Sequence, residues 1–285
     1  MNRWVEGARP RTLPVAVVPV AVGTAVASAQ GQVTWWRAAA ALVVSLAIQV
    51  GTNFANDYSD GVRGTDAVRV GPVRLVASGL ASPDAVRRAA FVAFGVAAAA
   101  GLALTAAVGP ELLAVGAASI AAGWLYTGGP RPYGYRGFGE LFVFVFFGLV
   151  ATAGSAYVHL ERVTGLSVLA GVPVGLLAVA ILVINNLRDI DNDAVAGKKT
   201  LAVRIGAVGT RVLYVVCLLA PFVLLLAIAV VRPWALIGLA ALPLVVVPVR
   251  RVVAGTTGRG LIDVLVASGR LHLVFGLLVA VGIAL

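Results

Sequence analysis

Charge is what this sequence has least of. Only 12% of its 285 residues are Asp, Glu, Lys or Arg, about half the share a soluble globular domain carries. Acids are the scarcer sign, 12 against 22 basic residues. Cys217 is the single cysteine, which excludes an internal disulfide and a thiolate-based zinc site. Two histidines in the whole chain leave little for an imidazole-rich metal cluster. What is present instead is apolar: 60% of the residues, gathered in uninterrupted runs of about twenty, the length that crosses a bilayer core as a helix. A soluble enzyme, a disordered tail and a secreted disulfide scaffold are all excluded by that pattern. A net charge of +10 would suggest nucleic acid in a soluble protein. The positions of the charges point to a lipid bilayer instead, and no nucleic-acid partner is expected.

The runs predict an all-α membrane protein with nine transmembrane helices, near 12–30, 37–56, 88–108, 111–127, 139–158, 166–187, 211–231, 234–250 and 268–285, in one polytopic domain over 1–285. The first run starts late, contains Pro14 and Pro19 and is followed at once by another span, so it reads as a helix that stays and not as a cleaved signal. With nine crossings the basic residues divide 19 against 3, only Arg37, Arg162 and Arg232 falling on the poorer side. The positive-inside bias then puts the N-terminus and the loops after spans two, four, six and eight in the cytoplasm, and the C-terminus outside the cell membrane. The outer connections are short, whereas the inner segments 57–87 and 188–210 are long and polar, as loops with a function are.

Six of the twelve acids fall in two short stretches, one at the cytoplasmic end of span two and one at that of span six. The first runs Asn53-Phe-Ala-Asn56-Asp57-Tyr58-Ser-Asp60 and on to Gly64 and Asp66; the second runs Asn185-Asn186-Leu-Arg188-Asp189-Ile-Asp191-Asn-Asp193 and on to Lys198 and Lys199. On a helix, Asn185, Asp189 and Asp193 share one face, as do Asn53, Asn56, Asp57 and Asp60, while Asp191 points away. A carboxylate at the centre of a membrane helix costs about 2.5–3.5 kcal/mol, and facing carboxylates repel unless cations bridge them. Hard oxygen donors suit Mg²⁺, which binds one or two carboxylates together with substrate phosphates. The neighbouring Arg63, Arg69, Arg74, Lys198 and Lys199 suit a diphosphate. The two stripes therefore predict a divalent metal–diphosphate site, against the plainer alternative of solvated acids at helix ends.

These motifs resemble the UbiA superfamily of intramembrane aromatic prenyltransferases. The resemblance runs along most of the chain: Arg9-Pro10-Arg11-Thr12-Leu13-Pro14, Asn56-Asp57-Tyr58 through Gly64-Thr65-Asp66, Gly71-Pro72, Tyr126-Thr127-Gly128-Gly129-Pro130, and Asn185-Asn186-Leu187-Arg188-Asp189 through Gly197-Lys198-Lys199-Thr200-Leu201. Many members end the first motif with an aspartate where this chain has Gly64; the Gly-x-Asp ending at Asp66 is similar to the branch that prenylates 1,4-dihydroxy-2-naphthoate. The resemblance implies two Mg²⁺ ions held among Asn56, Asp57, Asp60, Asp66, Asp189 and Asp193, with Asp60, Asp66, Asp189 and Asp193 the catalytic acids. It implies a polyprenyl diphosphate bound by Arg69, Lys198 and Lys199 at the cytoplasmic face; Asn185, Tyr126 and Arg136 are expected, from their location alone, to place the aromatic acceptor. The implied reaction joins the polyprenyl group to the naphthoate and releases CO₂ and diphosphate. Prenyl transfer to 4-hydroxybenzoate or homogentisate is the nearest alternative, and an ion-coupled transporter is the alternative from another class.

Elsewhere the residues read as structural. Ser82-Pro83-Asp84 marks a helix start. His159 and His272 lie away from the motifs, and Trp4, Trp35, Trp36 and Trp234 sit at span ends as an aromatic belt would place them. Phe142, Phe144, Phe146 and Phe147 are divided between a cation-stabilising pocket and lipid contact.

Overall fold

Ser82 and Thr164 show how local chemistry starts the long helices. Ser82 adopts extended backbone and its hydroxyl accepts from the Ala85 N–H, with Pro83 and Asp84 in the first turn. Thr164 and Ser167 form a reciprocal capping box. The computed structural model describes residues 2–65 and 73–285. Within them every regular element is helical: α1 (Arg3–Ala8), α2 (Pro14–Ser28), α3 (Trp35–Val62), α4 (Pro83–Val108), α5 (Glu111–Leu125), α6 (Gly139–Leu160), α7 (Gly165–Val195), α8 (Leu201–Ala229), α9 (Pro243–Val253) and α10 (Gly260–Ala284).

Six of these helices are long and apolar enough to cross a membrane, and eight such crossings result if each of two bent pairs counts as one. The bends are 51° between Arg3–Thr12 and Pro14–Ser28, and 48° between the 3₁₀ turn Pro233–Ala241 and α9. Each falls at a proline that opens the second helix, where no N–H is available to continue the ladder. The chain is a multi-pass helical membrane protein. Its main core joins α2, α7, α8 and α10, and a second cluster packs α1, α3 and α4 around Phe54, Leu75 and Phe94.

The helices outrun the apolar runs. α3 continues through Val62 and α7 through Val195, so both acidic stripes are helical. The segment 188–210, expected as an inner loop, is the end of α7, a short turn, and the start of α8 capped by the Thr200 hydroxyl. Gly206, at φ +71°, breaks α8 near its start. Hydropathy marks only the apolar turns of a helix, and the last turns of α3 and α7 are polar.

Glycine sets one of the close helix crossings. A Cβ on Gly148 would lie 2.5 Å from the Gly175 Cα and 3.0 Å from the Gly171 carbonyl, so α6 and α7 touch backbone to backbone. Gly148 belongs to a π-helical stretch, Phe144–Val150, inside α6. Gly148→Ala forces the two helices apart and is expected to cost about 1–3 kcal/mol, read as a lower unfolding temperature in detergent. Gly154→Ala, whose Cβ would meet nothing within 4 Å, serves as the unchanged control.

Candidate active site

The ends of α3 and α7 bring the two acidic stripes to the same end of one cavity of about 550 Å³. Asn56, Asp60, Asn185, Asp189 and Asp193 line that end, joined by Arg74, Arg188 and Lys198. Beyond them the walls turn apolar, with Phe142, Phe146 and Phe147 from α6, then Leu104, Leu112 and Val158 toward the opposite end of the bundle.

Asp60 is the hub. It is 3% exposed; Lys198 Nζ donates to its Oδ1 at 3.2 Å, and Arg74 Nη2 lies 3.7 Å from its Oδ2. The Tyr135 hydroxyl also donates to Oδ1. Burial, and next the Asp60 charge, push the Tyr135 phenol well above its usual value of 10, so it stays a donor through the physiological range. The Lys198 ammonium also sits 3.8 Å from Asp193 Oδ1 and 4.7 Å from the Tyr135 ring centroid. One lysine thus links the acids of the two stripes. Asp189 receives a two-pronged pair from its neighbour Arg188, Nε to Oδ1 and Nη2 to Oδ2, both 2.8 Å. Asn56 Oδ1 accepts from the Thr127 hydroxyl at 2.8 Å, which ties the Tyr126–Thr127 turn to α3.

The donor set fits a hard divalent cation shared with a phosphate. Among the described residues no three His, Cys, Asp or Glu side chains gather closely enough to hold an ion alone. Asn56, Asp60, Asp189 and Asp193 instead offer oxygen from two sides, the arrangement that Mg²⁺ completes with phosphate oxygens and water. The buried cations beside them match the charge of the phosphates.

The model of the UbiA prenyltransferase family matches residues 16–261. The chain belongs to that family. It is 50% identical over 282 residues to the 1,4-dihydroxy-2-naphthoate octaprenyltransferase of Mycobacterium tuberculosis, covering 99% of this chain and 97% of the relative. It is 39% identical over 260 residues to the enzyme of the same name from Escherichia coli, covering 87% and 84%. Its fold is like that of a UbiA homologue from Archaeoglobus fulgidus solved with GPP and Mg²⁺ bound, at a TM-score of 0.66 and 13% identity over 98% and 100% of the two chains. Family membership removes the transporter alternative.

Set against the expected site, the UbiA chain gathers Asn56, Asp60, Asn185, Asp189, Asp193, Lys198 and Tyr126 around one cavity. Asp57 is turned elsewhere. It is fully buried, its two oxygens accept from the Leu75 and Val76 N–H groups, and it does not line the cavity. Spacing placed it beside the stripe, but its helix face meets the segment after residue 72. Arg136 is exposed and lies off the cavity. Lys199 is exposed and its N–H donates to the Tyr135 carbonyl. Asp66 and Arg69 fall outside the described residues. Tyr135, Arg188 and Arg9 belong to the site and escaped the sequence reading. The Tyr133-Gly-Tyr135 pair following Pro130 was the one available signal for Tyr135. Of the phenylalanines, Phe142, Phe146 and Phe147 face the cavity and Phe144 packs under Gly175.

Proposed function

We infer that this chain transfers a long polyprenyl group from its diphosphate to 1,4-dihydroxy-2-naphthoate, releasing diphosphate and CO₂. The observation that carries this reading is the 50% identity, over nearly both full lengths, to a relative named for that reaction. The geometry supports it: two acidic stripes with buried cations close the polar end of a cavity whose other end is aromatic and aliphatic.

In this reading Asn56, Asp60, Asp189 and Asp193 hold two Mg²⁺ ions, with Asp66 as a further ligand; Asp57 is left to the fold. The metal ions, when bound, supply positive charge to the departing diphosphate. Lys198 and Arg74 bind the diphosphate oxygens, and Arg69 and Lys199 remain proposed partners of the same group. The allylic C–O bond breaks with its electron pair on diphosphate. The ring carbon bearing the carboxylate then forms the new C–C bond. Loss of CO₂ returns the electrons of the broken C–C bond to the ring. Tyr126 and Asn185 flank the acceptor, while Phe142, Phe146 and Phe147 face the developing allylic cation. The site opens toward the cytoplasm of a cell-membrane protein with nine crossings, namely the six long helices, the two bent pairs and α5. The N-terminus is then inside and the C-terminus outside, as the 19 against 3 division of basic residues requires.

The test uses the full chain in detergent with octaprenyl diphosphate, with and without Mg²⁺. The expected result is metal-dependent prenylated naphthoquinol and CO₂ from 1,4-dihydroxy-2-naphthoate, and no product from 4-hydroxybenzoate. Prenylation of the benzoate alone would overturn the choice of acceptor and keep the metal site.

A further inference from the structure

Arg9 holds a backbone conformation that its neighbours would not choose for it. Its φ and ψ are 53° and 71°, the left-handed region, and Arg9 and Glu161 are the two non-glycine residues there among those described. Left-handed backbone is strained for a side chain with a Cβ, and the residue before a proline is pushed toward extended backbone. The turn is held from outside. The Arg9 carbonyl accepts from both the N–H and the hydroxyl of Thr12, each at 2.9 Å. Two buried amides of α3 then lock Thr12 in place: Gln49 Nε2 reaches its hydroxyl at 3.1 Å and Asn53 Nδ2 at 3.2 Å, with Asn53 also donating to the Ala8 carbonyl at 3.0 Å.

What this bracing presents is a guanidinium. Arg9 lines the main cavity, and its Nη2 is buried with no hydrogen-bond partner among the described residues. A buried donor left unmade is costly, and strain of this kind persists where the surroundings impose it, often at ligand sites. A guanidinium pairs best with an anion. Arg74 and Lys198 already stand at the acidic stripes, where a diphosphate with several charges needs several cations. Arg9 is instead carried on the turn that Gln49, Asn53 and Thr12 brace, and its planar guanidinium matches one planar carboxylate.

Resting on the function proposed above, we propose that Arg9 binds the carboxylate of the aromatic acceptor and thereby selects acceptors that carry one. The Arg9-Pro10-Arg11-Thr12 motif is then the part of the sequence that builds this subsite. Tyr126 and Asn185 line the same cavity and complete its walls.

Arg9→Gly separates this role from a structural one, because glycine adopts the left-handed turn without strain. The unfolding temperature in detergent is expected to stay level or rise. The KM for 1,4-dihydroxy-2-naphthoate is expected to rise by about 10–100-fold, the worth of a charged hydrogen bond, with the KM for octaprenyl diphosphate unchanged. 1,4-Naphthalenediol, which lacks the carboxylate, is expected to inhibit wild type and Arg9→Gly equally well. Arg9→Lys, which keeps the charge and loses the planar fork, should fall between the two. An unchanged KM for the naphthoate, or equal losses for naphthoate and diol, overturns the proposal. A rise in the KM for octaprenyl diphosphate overturns it by assigning Arg9 to the donor. Wild type that rejects the naphthoate sinks the functional reading itself, whereas wild type that accepts it beside an unaffected Arg9→Gly sinks only this role of Arg9.

Discussion

Asp60→Ala is expected to lower prenyl transfer by at least about 10³-fold, the scale on which a preorganised charge contributes to a transition state. Asp60 is the residue on which Tyr135, Lys198 and Arg74 converge, so its loss removes a proposed metal ligand and leaves two buried cations facing each other. Breaking a buried pair from one side costs about 3–5 kcal/mol, enough to lose the fold together with the activity. Asp60→Asn keeps the volume and an oxygen for Tyr135 and Lys198, and is expected to remain folded and equally inactive. Single-turnover product formation and thermal unfolding in detergent, measured on both variants, separate the two effects. Near-normal turnover by a folded Asp60→Asn would remove Asp60 from the metal site.

Chelation is expected to bring turnover to the background level, and added Mg²⁺ to restore it. Among the described residues no three acids gather closely enough to hold an ion alone, so metal and polyprenyl diphosphate should each tighten the binding of the other, as linkage requires. The check is an equilibrium titration of Mg²⁺ with and without octaprenyl diphosphate, followed by turnover in a chelator. Full turnover in the chelator, or Mg²⁺ binding indifferent to the diphosphate, counts against a shared site.

The sequence discloses more of the chemistry than of its framing. Asn56, Asp60, Asn185, Asp189 and Asp193 were readable because i, i+4 spacing is a property of the chain alone. The spans were readable because lipid requires long apolar helices. Three features depend on tertiary placement and left no such trace. Asp57 has the right spacing, yet the face it occupies meets the backbone of Leu75 and Val76. Tyr135 reaches Asp60 across 75 positions. The role proposed for Arg9 turns on a φ angle. Helix ends were misjudged for one reason at both stripes: the polar last turns of α3 and α7 have no hydropathy signal.

Lys198 has a consequence for the enzyme between turnovers. It is a counter-ion on a tether, standing between the carboxylates of Asp60 and Asp193 that would otherwise repel across the cleft. An ion arriving from solution must displace a charge the chain carries at very high local concentration. A monovalent cation gains nothing by that exchange. A divalent ion arriving with a diphosphate gives both carboxylates a better partner and gives the evicted ammonium a phosphate. In the proposed reading, Lys198 thereby favours entry of a divalent ion together with a diphosphate over a monovalent cation alone.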